Sequence, residues 1–242
     1  MTNDLFASIS RKFRRSLRKR GLLKTLLFLS GRAALLFFGY RRPPGISDFD
    51  RRYGTDTWRE AKLNELAIDS PNVKFGIHYT TPPVALVTEA FSKLKIRHED
   101  FTFIDMGSGK GMAMLLASSY PFVKIVGVEF SGKLIEIAKS NVGKYSDPGQ
   151  KCKNFEFVHV DATEYPIPAV PLVIEFSNPF IKDVMRTVVD RLETSLRDSP
   201  REVWILYINP VEHQMFDESR LLTRYEHNVE YAVYRHLPQP GQ

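Results

Sequence analysis

The chain has 242 residues, 43% of them hydrophobic, with 17 Phe and 10 Tyr. That is enough apolar material for one sizeable core and argues against intrinsic disorder. Cys152 is the only cysteine, which excludes an internal disulfide framework and a cysteine-built zinc site, and the six histidines show no ligand spacing, so no metal is expected. The net charge of +6 is unevenly distributed: residues 1–47 hold eleven Lys/Arg against Asp4 alone, and the remainder is mildly acidic.

Residues 1–47 read as a basic helical arm. On a helix, Leu5, Phe6, Ile9, Phe13 and Leu17 share one side, while Arg11, Arg14, Arg15 and Arg18 share the other. The apolar stretch that follows contains Lys24 and Arg32, and a charge near mid-bilayer is costly, so a transmembrane helix is not expected. Three readings stay open for residues 5–42: peripheral contact with an anionic membrane, a targeting segment, or helices packed on protein with their charges solvated. The expected location is the cytoplasm, with membrane contact as the peripheral variant. Arg41-Arg42-Pro43-Pro44-Gly45 ends the arm, because Pro-Pro-Gly cannot continue a helix. Residues 48–99 then form an N-terminal extension, and 100–242 the core.

The core alternates. Short β-rich apolar runs at 101–106, 123–129, 155–160, 171–177 and 202–208 are separated by helical patterns at 111–119, 131–143 and about 181–196. Residues 224–236 read as an antiparallel pair turning near Asn228. This pattern predicts a doubly wound, mostly parallel α/β sheet, whose ligands bind at the carboxyl ends of the strands. Asp105, Glu129, Asp161, Ser177-Asn178-Pro179-Phe180 and Asn209-Pro210 stand at those ends. Each alone is explained by turn or cap chemistry; their shared edge suggests a ligand.

The loop after the first strand, "DMGSGKGMA", invites a phosphate-loop reading because of Lys110. A Walker A pattern would need Gly at 104 and Ser/Thr at 111, where Ile104 and Gly111 stand. A dinucleotide fingerprint from Gly107 would need Gly or Ala at 112, where Met112 stands. What remains is Asp105 followed by Gly107, Gly109 and Gly111, with Lys110 read as an incidental surface residue.

This acid-plus-glycines loop, with the acids and the polar-Pro-aromatic turn that follow, resembles the class I S-adenosylmethionine-dependent methyltransferases over residues 75–242. The resemblance implies a Rossmann-like seven-stranded sheet with one antiparallel terminal strand and S-adenosyl-L-methionine as cofactor. It implies a cofactor site of Tyr79, Thr80, Asp105, Gly107, Ser108, Gly109, Gly111, Glu129, Phe130, Asp161, Ala162 and Asn178. Glu129 would face the ribose hydroxyls, Asp161 and Ala162 the adenine, and Asp105 the ammonium. "SNPF" (177–180) resembles the acceptor loop of amino-directed N-methyltransferases, implying catalytic roles for Asn178 and Phe180. "FGIHYTTPP" (75–83) resembles the cofactor lid of protein-lysine methyltransferases, with Tyr79 as the lid residue; His78 is either a base or structural. "FDRRYGTDT" (49–57) and "IDSPN" (68–72), with "GIHYTTPP" and "SNPF", resemble an uncharacterised bacterial group of this family. Residues Arg51, Arg52, Tyr53, Asp56 and Thr57 either cover the site or form a polar helix cap. The implied activity is methylation of nitrogen on a protein side chain or small molecule. O-methylation of a membrane-associated small molecule and a non-catalytic cofactor-binding scaffold stand as alternatives. The acidic body argues against nucleic acid as acceptor.

Overall fold

The computed structural model describes residues 46–238, apart from 67, 69, 77 and 182. The basic arm expected over residues 1–47, with its amphipathic helix and membrane alternatives, lies outside the described residues but for Ile46 and Ser47.

Seven strands form one sheet: β1 (Thr102–Met106), β2 (Lys124–Glu129), β3 (Phe155–His159), β4 (Leu172–Phe176), β5 (Val203–Ile208), β6 (Thr223–His227) and β7 (Tyr231–His236). Their order is β3-β2-β1-β4-β5-β7-β6, with β7 antiparallel to both β5 and β6 and the other pairs parallel. The chain reverses winding direction between β1 and β4, opening a crevice at their carboxyl ends. β1, β2, β4 and β5 are buried almost throughout, which is why they read as unbroken apolar runs and not as alternating ones.

Alternate residues of these strands feed two cores. Ile104, Val126, Ile174 and Ile205 face α5 (Asp183–Asp198), whose Val184, Val188, Leu192 and Leu196 recur at helical spacing. Phe103, Ile125, Val173 and Trp204 face the opposite layer, with Val87 and Phe91 of α2 (Val84–Ser92) and Met114 of α3 (Met112–Ala117). Asp105 and Glu175 take positions in register on β1 and β4. Two residues after Phe103 and Val173, they point toward the second layer.

The remaining helices are short or surface-lying. α1 (Asp48–Tyr53) is capped by Ser47, α4 (Gly132–Lys144) by Ser131, and α6 (His213–Asp217) lies between β5 and β6. α6 has no counterpart in the sequence reading, being too short for a periodic signal. Asp50 holds the turn after α1 by accepting from the Thr55 and Thr57 hydroxyls and the Thr57 and Trp58 amides at 2.7–2.8 Å. No helix among the described residues is long and apolar enough to cross a membrane.

Candidate functional site

At the carboxyl edge of β1, β2 and β4 lies a cleft enclosing about 950 Å³ of empty space, its open mouth included. Its floor is the glycine loop. Gly107, Gly109 and Gly111 have φ of 90°, 52° and 83°, a region costly for residues with a Cβ. Space restricts them further. A Cβ on Gly107 would stand 2.3 Å from Pro179 Cβ, and one on Gly109 2.2 Å from Tyr79 Cε2. Gly107 and Gly109 line the cleft, whereas Gly111 does not. It starts α3, with Ala138 of α4 3.3 Å from where its Cβ would be, so its role is close packing.

Glu129 ends β2 as a carboxylate 5% exposed. Oε2 accepts from Gly109 N–H and Oε1 from Ser131 N–H, both at 2.9 Å, which orients both oxygens and leaves lone pairs for a ligand. Burial pushes its pKa up to about 7 against the pull of the Ser131, Gly109 and Phe130 amides. On β1, burial and the negative charges of Glu175 and Glu129 hold the Asp105 carboxyl well above the ordinary range.

Asp161, just past β3, is committed differently. Oδ1 accepts from Thr163 N–H and hydroxyl at 2.9 and 2.7 Å, and Oδ2 from Ser70 Oγ at 2.6 Å and Asn72 Nδ2 at 3.1 Å. Burial raises its pKa, but these bonds outweigh it and hold the carboxyl below its usual range. Asp161 thus clasps the segment before the cleft to the end of β3. Sequence reasoning missed Ser70 and Asn72, although Ser-Pro-Asn is the start signal of the short helix Pro71–Phe75 that they begin.

The roof comes from residues 61–83. Tyr79 and Ala61 exchange backbone bonds of 3.0 and 3.4 Å, and Gly76 bridges to Phe180 beyond β4. Tyr79 Oη donates to Thr57 carbonyl at 2.6 Å and lies 2.7 Å from Thr81 Oγ, which itself donates to that carbonyl. These bonds hold the ring over Gly109. His78 lines the cleft, exposed, and its Nδ1 accepts from Leu63 N–H at 3.2 Å, which favours the structural reading.

Lys110 corrects an expectation. The sequence reading placed it on the surface; it is 2% exposed, its Nζ 3.0 Å from Asp56 Oδ2 and 5.4 Å from the Tyr79 ring centre. Asn141 of α4 joins the same knot, bonding Asp56 N–H and the carbonyls of Asp56 and Lys110. A buried ammonium needs a partner, and Asp56 supplies it from 54 positions upstream, a distance at which sequence patterns are silent. Arg51, Arg52, Tyr53, Asp56 and Thr57 do not line the cleft; Asp56 braces the glycine loop from behind through Lys110, the Thr57 carbonyl anchors Tyr79, and Arg52 and Tyr53 reach Asp147.

The acceptor side is the turn after β4. Asn178 has φ 48°, and Tyr207 Oη points to its Oδ1 at 3.4 Å. Phe180 is buried against Phe176, their ring centres 6.2 Å apart. Thr80, Ser108, Phe130, Ala162, Asn178 and Phe180 all line the cleft with Tyr79, Asp105, Glu129 and Asp161. Glu175 lies behind them; its signal was an acid inside the otherwise apolar run "PLVIEFS".

No protein-family model matches this chain, and no curated protein matches it. Solved structures do. The Escherichia coli protein yhhF, assigned as a methyltransferase, is similar with a TM-score of 0.52 at 16% identity, over 66% of this chain and 89% of that one. The fold is that of the S-adenosylmethionine-dependent methyltransferases. Also similar are an RNA methyltransferase from Salinibacter ruber, solved with S-adenosyl-L-homocysteine (TM-score 0.45, 16% identity, 67% and 95% coverage), and an S-adenosylmethionine-dependent O-methyltransferase from Thermotoga maritima (0.47, 13%, 67% and 68%). None of these comparisons supports the narrower likeness to one bacterial group.

Proposed function

We propose that this protein is an S-adenosyl-L-methionine-dependent methyltransferase acting on nitrogen of a protein side chain, of lysine type, or of a small molecule. The observation that carries the cofactor is the donor set of the cleft. A phosphate-bearing ligand calls for cations and free amides; here the floor presents Asp105 and Glu129, and its one lysine is turned away onto Asp56. Buried carboxylates suit a ligand carrying ammonium, sulfonium and ribose hydroxyls. When bound, S-adenosylmethionine supplies the electrophilic methyl group. Glu129 would accept from the ribose, Asp105 would face the ammonium, Phe130 and Ala162 would line the adenine end, and the close-packed glycine loop would receive the methionine portion. Tyr79 and the roof exclude water.

The acceptor reading rests on Ser177-Asn178-Pro179-Phe180. Asn178 in its left-handed turn offers a side-chain oxygen and a following carbonyl to an N–H donor, and Phe180 walls the channel. A cationic amine must lose a proton before its lone pair can attack, and desolvation beside Phe180 and Tyr79 favours the neutral form.

Calorimetric titration of wild type and Glu129→Ala with S-adenosylmethionine tests the cofactor; no binding by wild type would overturn it. Transfer of labelled methyl into lysate, fractionated into protein, RNA, lipid and small molecules, tests the acceptor. Label confined to lipid or RNA would overturn the nitrogen-on-protein or small-molecule reading.

A further inference from the structure

Glu175 is wholly buried, and the reading above gives it no work. It sits beside Asp105 across the β1–β4 pairing, and its Oε1 accepts from Ser177 Oγ at 2.6 Å. Its Oε2 is buried with no N–H or hydroxyl partner. Two carboxyls in this position can bond to one another only if one carries a proton, and two negative charges this close in a dry interior cannot both persist. Among the described residues no cation compensates the pair. Glu129 approaches from β2, the Met114 amide from α3 and the Ser177 hydroxyl from the turn, Leu206 is the register neighbour on β5, and Lys110 is committed to Asp56.

We propose that Asp105 and Glu175 share one proton behind the cleft floor and release it when S-adenosylmethionine binds, so that the pair discriminates the cofactor from its demethylated product. The inference rests on the cofactor reading above. Before binding, the Asp105 carboxyl donates to the Glu175 carboxylate, which also accepts from Ser177. The incoming ligand brings an ammonium and a sulfonium; their charges favour ionised Asp105, and its proton leaves to solvent. Once the acceptor's lone pair has taken the methyl group and the methylated acceptor has left, the bound product would carry a neutral thioether in place of the sulfonium. With one cation fewer, the pair takes a proton back from solvent and its hold on the product weakens.

The direction of titration supports this: burial drives both groups upward, Glu175 to about 7 despite the bonds from Ser177 and Asp105, and Asp105 well above the ordinary carboxyl range.

The test is calorimetry on the full chain at pH 7, in phosphate and in Tris, with S-adenosylmethionine and S-adenosylhomocysteine as titrants. The different ionisation enthalpies of the buffers report the protons released. The expected result is about one more proton released by the sulfonium compound than by the thioether. In Glu175→Gln the neutral amide donates to Asp105 and removes the like charge beside it, so the difference between the two titrants disappears, while the pH dependence that Glu129 gives to either affinity remains. Equal release by wild type for both titrants overturns the proposal, and needs no variant. A Glu175→Gln protein that keeps the difference overturns it as well, since the proton would then belong to Glu129. If neither compound binds, the cofactor reading itself fails.

Discussion

Replacing Glu129 by Gln separates what its charge does from what its shape does. In the folded chain burial lifts this carboxyl from 4.5 to about 7. Between these values the native state binds a proton that the unfolded chain has lost, so stability falls as pH rises. At about 1.36 kcal/mol per pH unit, the fall due to Glu129 amounts to about 3 kcal/mol, complete above pH 7. Gln cannot ionise, and its profile lacks this fall. It has a separate cost: one of the Gly109 and Ser131 amides now faces an NH2 group, which leaves a buried donor unmet for about 1–3 kcal/mol at any pH. The variant is therefore the less stable protein at pH 4.5 and draws level with wild type, or passes it, by pH 8. Urea unfolding at half-unit pH steps measures both curves. Parallel curves would refute the argument, because they would mean that Glu129 is not held protonated by burial. Removal of Glu129 from the coulombic surroundings of Asp105 acts in the same sense, flattening the variant's curve further.

Gly109→Ala meets both a φ of 52° and the Tyr79 ring; we expect a loss of about 2 kcal/mol or more in thermal unfolding, and weakened S-adenosylmethionine affinity because the ring must leave its bond to Thr57. Lys110→Met and Asp56→Asn break the same ion pair unequally. With the lysine side chain 3% exposed and Asp56 39%, Asp56→Asn strands a buried ammonium and costs about 3 kcal/mol, while Lys110→Met leaves an acid that water can reach and costs less; equal losses in a urea titration would contradict this. Asn178→Ala is expected to lower methyl transfer by about tenfold to a hundredfold while S-adenosylhomocysteine affinity stays within about threefold, which single-turnover kinetics and calorimetry check together.

The sheet was legible because its signal is local. Runs such as "VKIVGVE" and "EVWILYI" show the composition of strands covered on both faces, and the strand–helix alternation leaves few topologies. The acids at strand ends were legible for the same reason, as position within a run places them on the sheet's edge. What escaped depends on contacts distant in sequence. Lys110 looked incidental because nothing within a window of residues announces Asp56, Tyr79 and Asn141 as its neighbours. Asp161, read as facing a ligand, does line the cleft; what the sequence did not announce is that four donors from Ser70, Asn72 and Thr163 bond it, two of the three residues lying some 90 positions upstream. Glu175 was present as an anomaly in an apolar strand and acquired meaning only when β1 brought Asp105 beside it.

The antiparallel β7 has a consequence for how the chain is made. β5, Val-Trp-Ile-Leu-Tyr-Ile, pairs on one side with β4 and on the other with a strand that begins only at Tyr231. During synthesis the N-terminal part of the sheet can assemble while that second side stays bare, an unpaired apolar edge of the kind that recruits other chains. β6, exposed along most of its length, contributes little apolar cover and lies outside β7, so it cannot shield β5 in advance. A chain stalled or cleaved between residues 209 and 230 would keep every cleft-lining residue and still be prone to aggregate, which makes the terminal hairpin a safeguard of solubility as much as a part of the fold.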